Sequence, residues 1–492
     1  MPSSFTLKEE RIKKLKQFEA EGINPYPSIC FEKEDSQAVL KKEIGESAKV
    51  AGRIILFRDM GKIAFLNLKD ARGKIQLVLN TQEFEGDYKL WIKNLDLGDF
   101  IGAEGERFDT RKGEKSILVK KLTLLSKSVR PLSDKYKGIA DDDARQRFRE
   151  LEMIANEETM AKFKRRSKMI QTIREFMWQQ SFMEVETPVL QTVYGGTYAK
   201  PFTTHYNALD FDLYLRIAPE MFLKRLMVGG FEKVFEIGKC FRNEGMGPAH
   251  LQEFTMFEFY WAYADYAKLM EFTEQMIAEI IEKTHQNFKV SLGGKTIDLK
   301  PPYPREKFAD LFKKYLKVSL EELDTPQKID QFVKERGLEE KVDFSKKMGW
   351  ASKLDELFKK TIRKEIIQPV FVVDYPKEFM ALAKANPDDS ETVMAMQLVV
   401  NGWELLKAYN ELNDPAEQRQ RFEQQQRLAK EGDEGTMPYD HDFVKSMEYG
   451  MPPVAGWGMG LDRFFALLEG EDNLRDTILF PTMKPKNKIK SK

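Results

Sequence analysis

Residues 253–261, EFTMFEFYW, alternate in a way that only a β-strand can use. Successive side chains of a strand point to opposite faces. Phe254, Met256, Glu258 and Tyr260 therefore share one face. Glu253, Thr255, Phe257, Phe259 and Trp261 share the other, which reads as core. A second apolar, alternating run, Phe231–Arg242, precedes it and ends in Phe-Arg-Asn-Glu-Gly. The two runs predict an antiparallel pair with a core on one side and a carboxylate on the other. From Phe254 to Glu258 is ~14 Å at about 3.4 Å per residue. That face offers a ring for a flat ligand at one end and Glu258 with Tyr260 for a cation at the other. Arg242, at the end of the partner strand, is placed to hold an anion between them. Taken singly, a glutamate on a sheet face is ordinarily solvated, and an arginine at a strand end is ordinarily in a surface ion pair.

A second stretch changes that balance. GMPPVAGWGMGLDRFFALLEG (Gly450–Gly470) reads as a glycine-rich strand running into a helix. Gly456, Gly458 and Gly460 fall on one strand face, which lacks side chains and lets something flat approach the backbone. Arg463 follows at the helix start. Two arginines at sheet edges, an aromatic stacking face and a bare glycine face together describe a nucleotide site. Other phosphate loops do not compete: SLGGKT (Ser291–Thr296) resembles the end of GxxxxGK[ST], but Lys289 stands where its first glycine must be.

The rest of the chain organises around these motifs. Residues 7–22 carry Leu7, Ile12, Leu15 and Phe18 roughly at helical spacing, with Gly22 as a stop. Short β runs separated by turns fill the next ~80 residues and predict a small barrel such as an OB-fold. Met160–Gln180 reads as a long helix leading to a strand that ends at Pro188. Met394–Leu412 reads as a hairpin with Asn401-Gly402 at a type I′ tip. Strands mixed with helices, without regular βαβ alternation, predict an α+β fold with an antiparallel sheet. The expected divisions are an N-terminal helical segment over 1–46, the barrel over 47–130, a linker over 131–157 and a catalytic domain over 158–484. The last contains a helix-rich insertion at about 293–368, and a lysine-rich tail over 485–492 follows it. That tail reads as a solvated run or a weak electrostatic tether for a polyanion.

Composition sets limits. The 492 residues carry 79 basic and 79 acidic side chains, which argues against an indiscriminate polyanion binder. Two distant cysteines form no disulfide framework, and four scattered histidines offer no short-spaced zinc site. No apolar run approaches the ~18 residues of a membrane span. A cytoplasmic location, with no membrane partner, is expected.

The motifs in order resemble those of class II aminoacyl-tRNA synthetases: a helix and strand ending at Pro188, FRNEG with EFTMFEFY, and GWGMGLDR. The closer resemblance is to lysyl-tRNA synthetases of that class. It rests on GGTYAKPFTTHYNALDFDLYLRIAPEMFLKRLMVGGFEKVFEIGKCFRNEG, on YNELNDPAEQRQRF and on LRDTILFPTMKP. It covers nearly the whole chain, including GINPYP near the start. The resemblance implies that the barrel reads the anticodon and that a homodimer forms through Met160–Pro188. It implies activation of L-lysine with ATP, then transfer of the lysyl group to the ribose 3′-hydroxyl of tRNA(Lys).

It also implies roles. Arg242 would hold the α-phosphate and the lysine carboxylate, and Arg463 the γ-phosphate near adenine. Phe254 would stack on adenine, with Glu244 and His250 contacting adenine and phosphates. Glu411 and Tyr260 would hold the ε-ammonium, Glu220 and the Gly196 backbone the α-ammonium, with Glu258 beside them. Mg2+ would be held by Glu404, where Gln397 replaces the family's second glutamate. In the barrel, Phe65 would stack on and Gln76 hydrogen-bond anticodon uridines, supported by Arg58. On residue grounds alone, Phe65 reads as barrel core.

The chain departs from the family pattern elsewhere too. Lys407 stands for the usual asparagine, Met380-Ala381 for Ser-Pro, and Leu251-Gln252 for an Asn-Pro-like pair. Strict alternation puts Glu404 and Gln397 on one hairpin face but Glu404 and Glu411 on opposite faces. Either a β-bulge separates the two glutamates or one assignment fails. Two other readings compete: a lysine-activating paralogue that modifies a protein or lipid, and a catalytically silent tRNA-binding protein. The barrel disfavours the first, and the intact Arg242, Glu258, Glu411 and Arg463 disfavour the second.

Overall fold

The alternating runs near the N-terminus close on themselves. The structure is a computed structural model that describes residues 4–132, 141–342, 344, 348–431 and 436–485. It divides into two units, Met1–Ala140 and Asp141–Lys492.

In the first unit, strands Ser47–Asp59, Ile63–Lys69, Lys74–Asn80, Phe100–Asp109 and Lys115–Ser126 form a closed barrel. Its strand order is one-two-three-five-four. Ala64, Leu66 and Leu68 alternate inward along the second strand and are fully buried. The N-terminal helix Ser4–Ala20 packs Phe18 against Trp91, ring centroids 5.2 Å apart. It ends where Gly22 takes φ +72°, a left-handed conformation that glycine adopts without a Cβ clash.

In the second unit a long sheet runs in the order Arg305–Lys307, Val370–Pro376, Asp389–Val400, Trp403–Asn410, Val454–Gly460, Glu253–Ala262, Lys233–Phe241, Met183–Glu184. The central pairs are antiparallel, and the two outermost pairs are parallel. One face packs Phe257, Phe259 and Trp457 against helices Glu157–Gln179 and Tyr266–Thr284. The other face packs Val393, Ala395 and Val399 among helices Glu220–Val228, Phe308–Leu316 and Trp350–Leu357. The functional residues project from this second face.

Two expectations change. Residues 141–155, read as linker, form helices Asp142–Arg147 and Arg149–Ala155 within the second unit. Their charges are partly internal: the buried Arg149 pairs with Glu152 and donates to the Arg475 carbonyl at 3.0 Å. The expected insertion also gives Arg305–Lys307 to the edge of the main sheet. SLGGKT is the tip of a hairpin, with Gly293 and Gly294 at φ +58° and +75°. Of the lysine-rich tail, residues 486–492 lie outside the described residues.

Candidate active site

The Glu253–Ala262 strand delivers the alternation that its sequence predicts. Phe257 and Phe259 are fully buried in one core, while Glu258 and Tyr260 are buried on the opposite side. Glu258 lies across from Gly458, and Tyr260 across from Gly456. The glycines make room for side chains more than for a ligand. A Cβ on Gly456 would lie 2.1 Å from Glu411 Oε1 and 2.6 Å from the Tyr260 ring. One on Gly458 would press Glu258 at 3.2 Å, and only Gly460 borders open space.

The hairpin Asp389–Asn410 settles the alternation problem. Asn401 and Gly402 take φ +49° and +74°, the two positive values of a type I′ turn. Val399 pairs with Glu404, but Leu398 pairs with Leu406, so Leu405 is an extra residue. Beyond this bulge, Lys407, Tyr409 and Glu411 return to the face that carries Glu404. All four line one pocket with Gly196, Glu220, Arg242, Glu244, His250, Phe254, Glu258, Tyr260 and Arg463.

One end of that pocket is a dry cluster of charge. Lys224, one helical turn after Glu220, is completely buried and places Nζ 2.6 Å from Glu220 Oε1 and 2.5 Å from Glu411 Oε2. The Tyr409 hydroxyl donates to Glu220 Oε1 at 2.5 Å. Gly196, at φ +89°, brings the chain so close that a Cβ would lie 2.9 Å from that of Glu220. Burial pushes Lys224 down, but Glu220 and Glu411 outweigh it, so the ammonium holds its proton above the ordinary range. Burial pushes Glu411 up to about 8, against the pull of Lys224. Burial, reinforced by Glu220 and Glu236, raises Glu258 well above the usual carboxylate range. Two carboxylates, Glu220 and Glu411, thus share one embedded ammonium, and Glu258 lines the pocket with them. Neither Glu411 oxygen has a well-aligned hydrogen bond, although Lys224 is in ion-pair contact.

The other end is cationic and more open. The Arg242 guanidinium lies over the Phe254 ring, 4.8 Å from its centroid. Arg463 donates to the Glu404 carbonyl at 2.6 Å. Its pKa is lowered by burial and, less, by the neighbouring Arg363 and Arg242. Burial and then Arg463 lower the pKa of His250, which favours the neutral imidazole. Glu244 and His250 sit on the exposed loop between the two strands.

A single carboxylate, Glu404, at this end suits a magnesium ion that takes its remaining ligands from a bound substrate, because Mg2+ commonly uses one or two carboxylates plus substrate oxygens. It does not fit a second ion. Gln397 is neutral, lies outside the pocket lining, and accepts a hydrogen bond from the Tyr375 hydroxyl at 3.0 Å. No group of three or more acidic, histidine or cysteine ligands occurs among the described residues.

A family of tRNA synthetases of class II, covering the D, K and N enzymes, matches residues 141–484. The chain belongs to the class II tRNA synthetases. Similar proteins over nearly its full length are lysine–tRNA ligases of bacteria. That of Thermotoga maritima is 41% identical over 490 residues, 97% of this chain and 96% of the relative. That of Clostridium tetani is 42% identical over 484 residues, 97% and 96%. That of Dehalococcoides mccartyi is 41% identical over 496 residues, 98% of each.

An OB-fold nucleic acid binding domain matches residues 48–125 of the synthetase, which is the barrel. There Arg58 pairs directly with Phe65, and Gln76 with Asn67, on the outward face. Phe65 is thus not barrel core; its neighbours Ala64 and Leu66 fill the interior instead. Gln76 Oε1 accepts from the Ser116 hydroxyl at 2.9 Å, and Arg58 is exposed.

Sequence reasoning missed three residues: Tyr409, which lines the synthetase pocket, and Lys224 and Arg363, which meet its carboxylates. Lys224 hid as an ordinary i,i+4 partner of Glu220, Tyr409 as one more strand aromatic, and Arg363 inside a charged helical stretch. Arg363 reaches within 3.9 Å of Glu404. The signal available for Lys224 was its place in MFLKRLM, where a lysine amid large apolar residues faces inward.

Proposed function

We propose that this synthetase is a lysine–tRNA ligase that uses ATP and L-lysine and charges tRNA(Lys). The observation that carries this reading is the charge pattern of the pocket. Glu220, Glu258 and Glu411 line one end of the pocket, and the ammonium of Lys224 pairs with Glu220 and Glu411 alone, so this end favours a ligand that brings further positive charge. Lysine brings two ammonium groups, and its carboxylate points toward the cationic end. A neutral side chain would bring no positive charge to this end, and an acidic one would add like charge to it, so both are disfavoured against lysine.

The reaction follows from this placement. The lysine carboxylate attacks the α-phosphate of ATP and pyrophosphate leaves, giving lysyl-adenylate. The ribose 3′-hydroxyl then attacks the lysyl carbonyl and AMP leaves. Arg242 orients the carboxylate and α-phosphate, Arg463 meets the γ-phosphate, and Phe254 stacks with adenine; Glu244 and His250 face the nucleotide from the loop. Such sites work by positioning and by fixed charge at the reacting centre. Magnesium bound to the phosphates at Glu404 would neutralise part of their charge.

The outward Phe65, with Arg58 and Gln76, supports anticodon binding through stacking and a basic neighbour. It favours tRNA over a protein or lipid as the acceptor. A homodimer through Met160–Pro188 is supported by the exposed Met160, Trp178 and Met183 on that stretch. A cytoplasmic location is part of the same reading; among the described residues no helix is long and apolar enough to cross a membrane. Lysine-dependent ATP–pyrophosphate exchange followed by charging of tRNA(Lys) tests the assignment. Exchange driven equally by asparagine or aspartate would overturn it.

A further inference from the structure

One carboxylate joins the strand that carries Phe254 to the helix that carries Arg463. The ladder between strands Glu253–Ala262 and Val454–Gly460 ends at the pair Met256 and Gly460. Phe254 and Thr255 lie beyond it, where the glycine strand offers no further partner. Asp462, in the first turn of helix Leu461–Glu469, takes that place: its Oδ2 accepts from the Thr255 N–H at 2.7 Å. Thr255 is next to Phe254 in the chain, and Asp462 is next to Arg463. The bond therefore fixes the spacing between the two residues that the proposed function assigns to the nucleotide.

Asp462 is buried and lines the pocket, so its charge needs a partner. Arg166, from helix Glu157–Gln179, supplies it. Arg166 Nη2 donates to Asp462 Oδ1 at 2.5 Å and lies 3.5 Å from the Thr255 hydroxyl. The guanidinium also sits 5.5 Å from the centroid of the Phe465 ring, one turn along the same helix as Asp462. Its Nη1 is buried without a hydrogen-bond partner. Arg166 lies outside the pocket lining, so whatever it does for a ligand passes through Asp462.

We propose that Arg166 is a positioning residue for nucleotide binding, which holds the Asp462 carboxylate in place and cancels its charge. The inference rests on the nucleotide part of the proposed function and deepens it. With Arg166 present, the Phe254 strand end and the Arg463 helix start keep a fixed gap, and the phosphates meet arginines with no free carboxylate among them. Without it, a buried carboxylate is left uncompensated at the nucleotide end. ATP feels that fault, and lysine, bound at the other end of the pocket, does not.

Lysine-dependent pyrophosphate exchange by the full chain at fixed Mg2+, read as separate Michaelis constants, tests this. Arg166→Met should raise the constant for ATP by about tenfold or more, and that for lysine by less than about twofold. Arg166→Lys keeps the charge but not the planar fork, and should raise the constant for ATP by about threefold with that for lysine unchanged. It carries the test if Arg166→Met does not fold. Combining Arg166→Met with Asp462→Asn strands no charge, while the amide oxygen still accepts from the Thr255 N–H. That double variant should return the constant for ATP to within about threefold of the unaltered value. Equal rises for ATP and lysine in either single variant would overturn the inference and leave the ligase reading intact. So would an unchanged constant for ATP in Arg166→Met, or a double variant no better than Arg166→Met alone. Absence of lysine-dependent exchange in the unaltered protein would overturn the ligase reading instead, and calorimetric titration of ATP into the same variants would then decide on the clamp by itself.

Discussion

The pocket of the catalytic unit and the outer face of the barrel solve recognition in opposite ways. The pocket holds Glu220, Glu258, Glu411 and Lys224 away from water, so its selectivity is built in at a cost to folding. The barrel presents Phe65 and Arg58 on an outward strand face, over an apolar interior that is complete without them. A buried charge cluster discriminates by leaving wrong ligands uncompensated; an outward ring accepts any stacked base and leaves discrimination to hydrogen bonds such as those of Gln76. The same protein therefore has one site that strains its stability and one that does not.

The sharpest way to break this contrast is to remove Lys224. Lys224→Met strands Glu220 and Glu411 in a dry site, and breaking such a pair costs about 3–5 kcal/mol. Urea denaturation should show that loss at pH 8, and the deficit should shrink as the pH falls and the carboxylates protonate. If the variant is as stable as the unaltered protein at pH 8, the cluster is not dry. The unaltered protein carries a milder form of the same dependence. The folded pKa of Glu411, about 8, lies above its unfolded value, so its contribution to stability is full at low pH. It is lost as pH rises toward and through 8. Lysine should reverse this by favouring the charged form, and binding near pH 7 should release protons, as calorimetry in buffers of different ionisation enthalpy would reveal.

Next in size is Glu411→Gln, which removes a charge-assisted bond worth roughly 1.5–3 kcal/mol. The Michaelis constant for lysine in pyrophosphate exchange should rise accordingly, with that for ATP little changed. Equal effects on both would blur the division of the pocket into two ends. Phe65→Ala should cost about 1–3 kcal/mol of tRNA binding and leave lysine-dependent exchange as it was. Gln76→Ala, which removes a neutral hydrogen bond, should cost about 0.5–1.5 kcal/mol in the same binding assay. A loss of protein stability in Phe65→Ala comparable to that of a core truncation would return the ring to the barrel interior.

What was legible in the sequence follows the same division. Alternation alone put Phe254, Glu258 and Tyr260 on one face, because a period of two survives wherever one face is buried. The barrel strands were legible for the same reason. At Glu404 and Glu411 strict alternation left two options, a bulge or a wrong assignment, and the register shows the bulge; the sequence could not choose, since a bulge leaves no mark in the residues that flank it. The role of Lys224 was harder to read because one of its two partners, Glu411, is distant in the chain. The stretch 141–155 was misread because Arg149 and Glu152 satisfy each other internally, whereas composition treats every charge as solvated.

The extra residue at Leu405 has a consequence for how this hairpin can change. It acts as a spacer of one, setting Glu404 and the trio Lys407, Tyr409 and Glu411 in phase, while Leu405 and Leu406 both face the core. Deleting it would turn one of the two sets through the sheet, sending charges into the apolar layer or emptying the pocket. Point substitutions can retune this site in small steps. A change of length at Leu405 has no small step available; it exchanges inside for outside along the whole of one strand arm.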